Sequence, residues 1–261
     1  MNIHILGTAS GHTSYQRQHY SLFFEEKNQT MLVDCGCHVS QWLLKNNIDA
    51  DVPDALYLTH AHSDHIGQFH NLIQSLWLRK RKKPLFIYGP GKLIDFLQKH
   101  MAMHLLFPEM LGFAIEWNHL HESETCAINS WRCTPFATNH LQSFQMQFAT
   151  AYPEVCFECL GFSLQTPRST ICLSSDIKIP VDLAPTLQSK SHDILICEMA
   201  HFETEELFNT LMRFDLRKLI LLHYGDEFVG KEAMLRDQAK DIGCSFTLHL
   251  ATDNFSLNLT E

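Results

Sequence analysis

The chain has 261 residues, 45% hydrophobic and 19% charged, a globular balance that excludes a disordered or fibrous chain and leaves ample material for a buried core. Twenty Lys and Arg against 29 Asp and Glu give a net charge of −9, which argues against a surface built wholesale for nucleic acid but leaves room for a local basic site. No apolar run is long enough to cross a bilayer, and the opening Met1-Asn2-Ile3-His4-Ile5-Leu6-Gly7 lacks the basic flank and apolar stretch of a secretory signal. A cytoplasmic protein without a membrane partner is expected. Its nine Cys lack paired metal-knuckle spacing and read as reduced, mostly buried thiols, whereas seventeen His call for an explanation.

Short apolar runs bounded by turn residues predict strands at Met1 to Leu6, Ser21 to Phe24 and Met31 to Val33, then a helix from His38 to Asn46. A strand at Leu56 to Thr59 precedes a helix from Ile66 to Lys80, and a strand at Leu85 to Tyr88 precedes a helix from Gly91 to His104. Strands follow at Arg132 to Thr138, Phe162 to Gln165, Thr170 to Ser174 and Ile194 to Cys197. The pattern closes with a helix at Thr204 to Arg213, a strand at Lys218 to Leu222, a helix at Gly230 to Ile242, and strands at Ser245 to Leu250 and Asn254 to Leu259. This is the pattern of a layered α/β protein. With no repeat, low-complexity tract or Pro/Gly/Ser-rich linker, a single domain over residues 1–261 is the simplest expectation.

The strongest chemical signal is Thr59-His60-Ala61-His62-Ser63-Asp64-His65, between an apolar strand and a helix. It puts three imidazoles and a carboxylate on one loop, and neutral His nitrogen and Asp oxygen are suitable donors for zinc. Packing alone rarely calls for that density.

The loop resembles the His-x-His-x-Asp-His signature of the metallo-β-lactamase superfamily, which holds two metal ions. The resemblance implies further ligands at strand ends, and the chain has His140 after Thr134 to Asn139, Asp176 after Ile171 to Ser175, and His223 after Leu219 to Leu222. It implies that His60, His62 and His140 hold one ion and Asp64, His65 and His223 the other, with Asp176 bridging. His119 and His121 lie upstream and compete for the role of His140. Asp34 looks like the family's early Asp, which buttresses the metal loop. The implied fold is a four-layer αββα sandwich. The implied cofactors are two divalent transition-metal ions, zinc first, with manganese or iron as alternatives. Two such ions generate a bridging hydroxide near neutral pH and clamp attacking and leaving oxygens, so Asp64 and Asp176 count as catalytic as well as ligating.

Within the superfamily, Leu6-Gly7-Thr8-Ala9-Ser10-Gly11 and the late His look like the ribonuclease Z branch, which hydrolyses phosphodiesters. The branch's following segment, with its Pro and Lys, is reduced here to Arg17, which is either a phosphate contact or an ordinary surface residue. Cys197-Glu198-Met199-Ala200-His201-Phe202 stands where the branch carries His-Glu-Ala-Thr-Phe with a proton-donating His. Cys197 takes that His position, so His201 is the candidate general acid and Glu198 its orienting partner. Alternatively, Glu198 caps the following segment and His201 is a surface residue. The branch's arm for gripping transfer RNA would fall between His140 and Asp176, an interval too short for it.

The basic run Arg79 to Lys83 is placed about 20 Å from the metal loop along a continuous helix at ~1.5 Å per residue. There it suits the negative end of the helix dipole better than an RNA platform. The expected activity is hydrolysis of a phosphodiester in a small molecule or nucleotide. A thioesterase or lactonase is the runner-up, followed by a ribonuclease Z-type endonuclease. A non-catalytic binding module would have lost ligands, and none is lost. Transfer RNA is not an expected partner, and a homodimer is left open.

Overall fold

The computed structural model describes residues 1–259. In chain order its elements are β1 (Asn2–Gly7), β2 (Ser21–Glu26), β3 (Gln29–Val33), α1 (Val39–Lys45), β4 (Ala55–Tyr57), α2 (Ser63–Ile66), α3 (Phe69–Leu78), β5 (Leu85–Pro90), α4 (Gly91–His100), α5 (Pro108–Leu111) and β6 (Ile115–Leu120). There follow β7 (Cys126–Ile128), β8 (Trp131–Ala137), α6 (Gln142–Phe148), β9 (Leu160–Gln165), β10 (Thr170–Leu173), α7 (Ala184–Ser189), β11 (His192–Glu198), α8 (Thr204–Leu211), β12 (Leu216–Leu222), α9 (Glu232–Ile242), β13 (Thr247–Leu250) and β14 (Phe255–Asn258). Among the described residues no helix is long and apolar enough to cross a membrane.

The chain divides into two compact units, one comprising Met1–His121, Pro153–Cys156 and the described residues from Asp253 on, the other Glu122–Tyr152 and Phe157–Thr252. Each holds one seven-stranded sheet. In the first the order is β14-β1-β2-β3-β4-β5-β6, antiparallel as far as β3 and parallel from there to β6. In the second it is β13-β12-β11-β10-β9-β8-β7, parallel from β13 to β10 and antiparallel beyond. The apolar runs in β11 and β12 follow from this, since a parallel strand inside a sheet covered on both faces needs no polar side. Helix α3 turns Phe69, Leu72, Ile73 and Leu76 inward at helical spacing, onto a core that includes Leu32, Leu56 and Ile87. The second unit has its own core, where Leu207 and Phe208 of α8 meet Leu195, Leu219 and Leu221.

The helix predicted from Ile66 to Lys80 corresponds to α3, Phe69–Leu78, and Ile66 ends the separate short helix α2. The Gln68 amide donates sideways to the Cys35 carbonyl at 2.9 Å, which takes it out of the ladder and separates α2 from α3. The basic run lies beyond the end of α3 and is held by specific contacts instead of the helix dipole. Arg81 is 0% exposed and donates to the carbonyls of Lys83 at 2.9 Å, Ala50 at 3.0 Å and Pro84 at 2.7 Å, with its guanidinium over the Phe113 ring. Arg79 donates to the Ile48 carbonyl. Asp51 accepts from the amides of Lys82 and Lys83 at 2.6 and 2.9 Å. A buried guanidinium needs such partners, and burial still lowers its pKa to about 10.

Replacing Arg81 strands three carbonyls. Arg81→Ala is expected to lower stability by about 3 kcal/mol, measured as a fall in denaturation midpoint with unchanged slope; a shift within experimental error would show those carbonyls satisfied by water.

Candidate metal centre

In the first unit the chemistry gathers at the carboxyl ends of β3 and β4. Asp34 leaves β3 with φ of 55°, a conformation an L-residue holds only when its surroundings enforce it. Its buried carboxylate accepts the Thr59 amide at 2.8 Å and the Thr59 hydroxyl at 2.7 Å through different oxygens, and His65 Nδ1 at 2.7 Å. Burial pushes the Asp34 carboxyl up, and the His65 and Thr59 hydrogen bonds offset this only in part. The Thr59 hydroxyl proton is committed to Asp34, so the 3.0 Å contact between its oxygen and His60 Nδ1 requires the imidazole to donate. His60 and His65 therefore both carry hydrogen on Nδ1 and present Nε2 as a lone pair.

The ring of His60 lies 4.1 Å from that of His65 and 4.8 Å from that of His62, and Tyr20 stacks on His65 at 4.8 Å. Gly36 is required here, because a Cβ at that position would stand 1.6 Å from the Asp64 carbonyl oxygen. That close passage lets the Cys35 amide bond the His65 carbonyl at 2.7 Å and fix α2 against the end of β3.

In the second unit the corresponding ends are those of β8, β10, β11 and β12. His140 follows β8, Asp176 follows β10, Glu198 ends β11 and His223 follows β12. Ser175, just before Asp176, and His223 itself have φ of 54° and 53°. His140 Nε2 stands 3.5 Å from Asp176 Oδ2, and His223 Nδ1 stands 3.6 Å from Asp176 Oδ1. Thr138 donates to the Asp176 carbonyl at 2.7 Å, and Asp182 joins the same two turns by accepting from the Asn139 side chain at 2.8 Å and the Lys178 amide at 3.0 Å.

Glu198 is buried and accepts from His201 Nδ1 at 2.7 Å, the Ile177 amide at 2.9 Å and the Ala200 amide at 2.6 Å. Burial raises its pKa, but the His201 hydrogen bond and the nearby His223 imidazole, 3.9 Å away, together outweigh burial and hold it below the usual value. His201 responds in the opposite sense. Burial would lower it, and the Glu198 hydrogen bond and charge raise it overall. The His201 side chain is 33% exposed, with its ring 4.6 Å from that of His140 and 6.1 Å from that of His223. Asp176, His201 and His223 each turn a donor atom to within 4.8 Å of the others. Glu198 thus both secures the backbone that follows it and orients His201. Cys197 is buried with its thiol pushed well up, so it is no proton donor.

The Arg17 guanidinium donates to the Thr8 carbonyl at 3.1 Å. His119 meets Asp95 at 3.0 Å, and His104 stacks on His70 with centroids 3.6 Å apart. Asp182 has no motif around it and Thr59 only opens the histidine motif, and only a fold that brings loops together shows what they do.

The donors fit a divalent ion. Imidazole–carboxylate separations of 3.5 and 3.6 Å in the second unit, and 3.6 Å between His65 Nε2 and Asp64 Oδ2 in the first, exceed a good hydrogen bond of about 2.7–3.2 Å. They match the roughly 3.4 Å between two donors that each lie ~2.1 Å from a tetrahedral ion.

Residues 1–243 match the family model described as Anti-Pycsar protein Apyc1. The chain belongs to that family. It has the metallo-β-lactamase fold and falls in the ribonuclease Z-like branch. Ribonuclease Z of Prochlorococcus marinus (strain AS9601) is 30% identical over 138 residues, which cover 49% of this chain and 44% of that protein; the chain spans less than half the length of such relatives. The metallo-β-lactamase fold protein YhfI from Bacillus subtilis superposes with a TM-score of 0.75 at 20% identity, covering 98% of each chain. The short form of human tRNase Z gives 0.71 at 17% identity, covering 99% of each.

The Asp34–Thr59–His60 relay has a measurable consequence. Thr59→Val is expected to leave the fold intact and weaken metal binding roughly 10–100-fold, read by competition against a chelator of known affinity. Unchanged affinity would show that the hydroxyl does not set the His60 tautomer.

Proposed function

We propose that the protein is a metal-dependent hydrolase, a single functional domain whose seven candidate ligands form one dinuclear centre acting on a phosphodiester of a small molecule or nucleotide. His60, His62 and His140 would hold one ion, Asp64, His65 and His223 the second, and Asp176 both. Zinc suits this nitrogen and carboxylate set. The observation that carries the proposal is the tautomer control in the first unit, where a buried carboxylate and a committed hydroxyl leave two imidazoles as Nε2 donors. Ions bound there would activate water and neutralise charge on the ester oxygens. The names of the relatives support a phosphodiester, since a ribonuclease cleaves one, and Arg17 is offered as a phosphate contact.

A leaving alkoxide needs a proton. His201 would give it: its Nδ1 is held by Glu198, which leaves the other ring nitrogen to deliver the proton while the carboxylate stabilises the imidazolium. Transfer RNA is not the proposed substrate. The interval between His140 and Asp176 holds the seven residues of α6, none of them buried, and the β9–β10 pair, while the net charge is −9.

The decisive experiment combines elemental analysis with turnover. Two ions per chain are expected, with hydrolysis of bis(p-nitrophenyl) phosphate nearly abolished in folded Asp176→Ala. One ion in a fully loaded preparation, or comparable turnover by the variant, would sink the dinuclear assignment. Faster turnover of thioesters or lactones by the wild type would move the substrate class to the carbonyl esters.

His201→Ala is expected to slow alkyl or nucleoside phosphodiesters by roughly 10²–10⁴ and aryl esters much less, because nitrophenolate departs unaided. Equal losses on both, with metal content unchanged, would remove the general-acid role. Precursor transfer RNA should be cleaved poorly, and any binding should collapse as salt rises; tight, specific cleavage at physiological salt would overturn that expectation.

A further inference from the structure

The hairpin that opens the second unit sets two thiols face to face. β7 and β8 pair antiparallel with Cys126 opposite Cys133, Ala127 opposite Arg132 and Ile128 opposite Trp131. Residues directly opposite in such a ladder have Cα atoms about 4.5–5.5 Å apart and side chains on the same face. A disulfide needs a Cα separation of about 4.4–6.8 Å, so the register meets the condition without backbone rearrangement. The alternation of burial agrees: Ala127 and Arg132 are exposed, whereas Cys126 and Cys133 turn to the covered face. The register therefore sets the two side chains against each other on one face of the hairpin.

They are chemically unequal. Cys133 is fully buried, and burial first, then its neighbour Cys126, pushes its thiol well above the ordinary range. Cys126 is half-buried, and the hydrogen bond from Cys133 outweighs burial and draws its thiol below the ordinary value. The thiols of Cys35, Cys37, Cys172 and Cys197 are all pushed up by burial, Cys37 and Cys172 to about 12. β7 is also the last strand of its sheet, hydrogen-bonded on one side only, so it can absorb the small adjustment a new covalent bond requires.

We propose that Cys126 and Cys133 form a reversible redox pair, with hydrogen peroxide as oxidant, Cys126 as the attacking thiol and Cys133 as the resolving thiol. The Cys126 thiolate attacks one peroxide oxygen; the S–O bond forms, the O–O bond breaks, and the departing hydroxide takes up the proton Cys126 released, giving water and a sulfenic acid. The Cys133 sulfur then attacks the Cys126 sulfur. The S–S bond forms, the S–O bond breaks, and the hydroxyl leaves with the Cys133 proton as a second water. Two thiols lose two electrons and two protons, and peroxide is reduced to two waters. A dithiol reverses the bond by exchange.

The test treats the reduced full-length protein with a small excess of peroxide, blocks remaining thiols with N-ethylmaleimide under denaturing conditions, and maps tryptic peptides without reduction. Trypsin cuts after Arg132, and a second digestion with Glu-C cuts after Glu154 and removes Cys156 and Cys159 from the Cys133 peptide, so the two cysteines fall on separate peptides that only a Cys126–Cys133 disulfide joins. A Cys126–Cys133 crosslink, reversed by dithiothreitol, is expected. In the untreated folded protein Cys126 should alkylate at least roughly tenfold faster than Cys133. In Cys133→Ser, dimedone should trap a sulfenic acid on Cys126; in Cys126→Ser, Cys133 should remain a thiol after peroxide. If either variant folds poorly, the wild-type map decides alone. A disulfide from either residue to a third cysteine, oxidation of Cys126 to sulfinic acid without a crosslink, or full alkylation of both after peroxide would overturn the proposal.

Discussion

The Asp34 carboxylate is the interaction on which the first unit's chemistry depends. At 0% exposure an unpaired carboxylate would cost several kcal/mol. It is kept because three donors converge on it, and all three belong to the loop that carries the imidazoles. Thr59 supplies two of them, amide and hydroxyl, which pins the loop in position and in rotation. The third comes from His65, six positions after Thr59 and already inside α2. One buried charge therefore fixes a strand end, a loop and a helix start, and the positive φ of Asp34 is the local strain it maintains.

Glu198 follows the same logic in the second unit, with a different electrostatic balance. It too is 0% exposed, ends a parallel strand, and accepts two backbone amides and one imidazole nitrogen. At Asp34 burial dominates and the carboxyl is pushed up. At Glu198 the His201 hydrogen bond and the neighbouring His223 imidazole prevail and the carboxyl is held down. Asp34 touches only the nitrogen of His65 that faces away from Asp64, which suits a support behind a ligand. Glu198 remains firmly anionic beside His201, which suits a partner that must carry the imidazolium form.

What the sequence disclosed was whatever a local pattern encodes. β11 and β12 stand out as apolar runs because they lie inside a sheet, and the metal loop because three His and an Asp are close in the chain. β6 and β7 were not predicted. Both end their sheets, and an edge strand such as Ile115-Glu116-Trp117-Asn118-His119-Leu120 keeps polar residues where a central strand cannot. The break between α2 and α3 escaped because a tertiary bond from Gln68 to Cys35 causes it. Arg81 escaped for a similar reason: in a run of five cations a solvated surface is the natural expectation, and only the nearby carbonyls of Ala50 and Pro84 make burial tolerable. Asp182 bonds turns that follow two different strands, and Thr59, although it opens the histidine motif, bonds a carboxylate at the end of another strand, so spacing alone could not have assigned their roles.

The alternation of β11 explains why the imidazole beside Glu198 comes from the later position. Successive residues of a strand face opposite sides. Cys197 and Leu195 join the core with α8, so Glu198 faces the other way, toward the Ile177 amide and His223. A side chain that hydrogen-bonds Glu198 from the same side cannot be its immediate strand neighbour without leaving the pleat. Three residues on, the backbone has left the sheet after donating the Ala200 amide to Glu198 Oε2, and that turn brings His201 Nδ1 back to Oε1 of the same carboxylate. The carboxylate thus shapes the turn that delivers its own imidazole partner, and the core keeps a small apolar thiol where a buried imidazole would have needed a polar partner of its own.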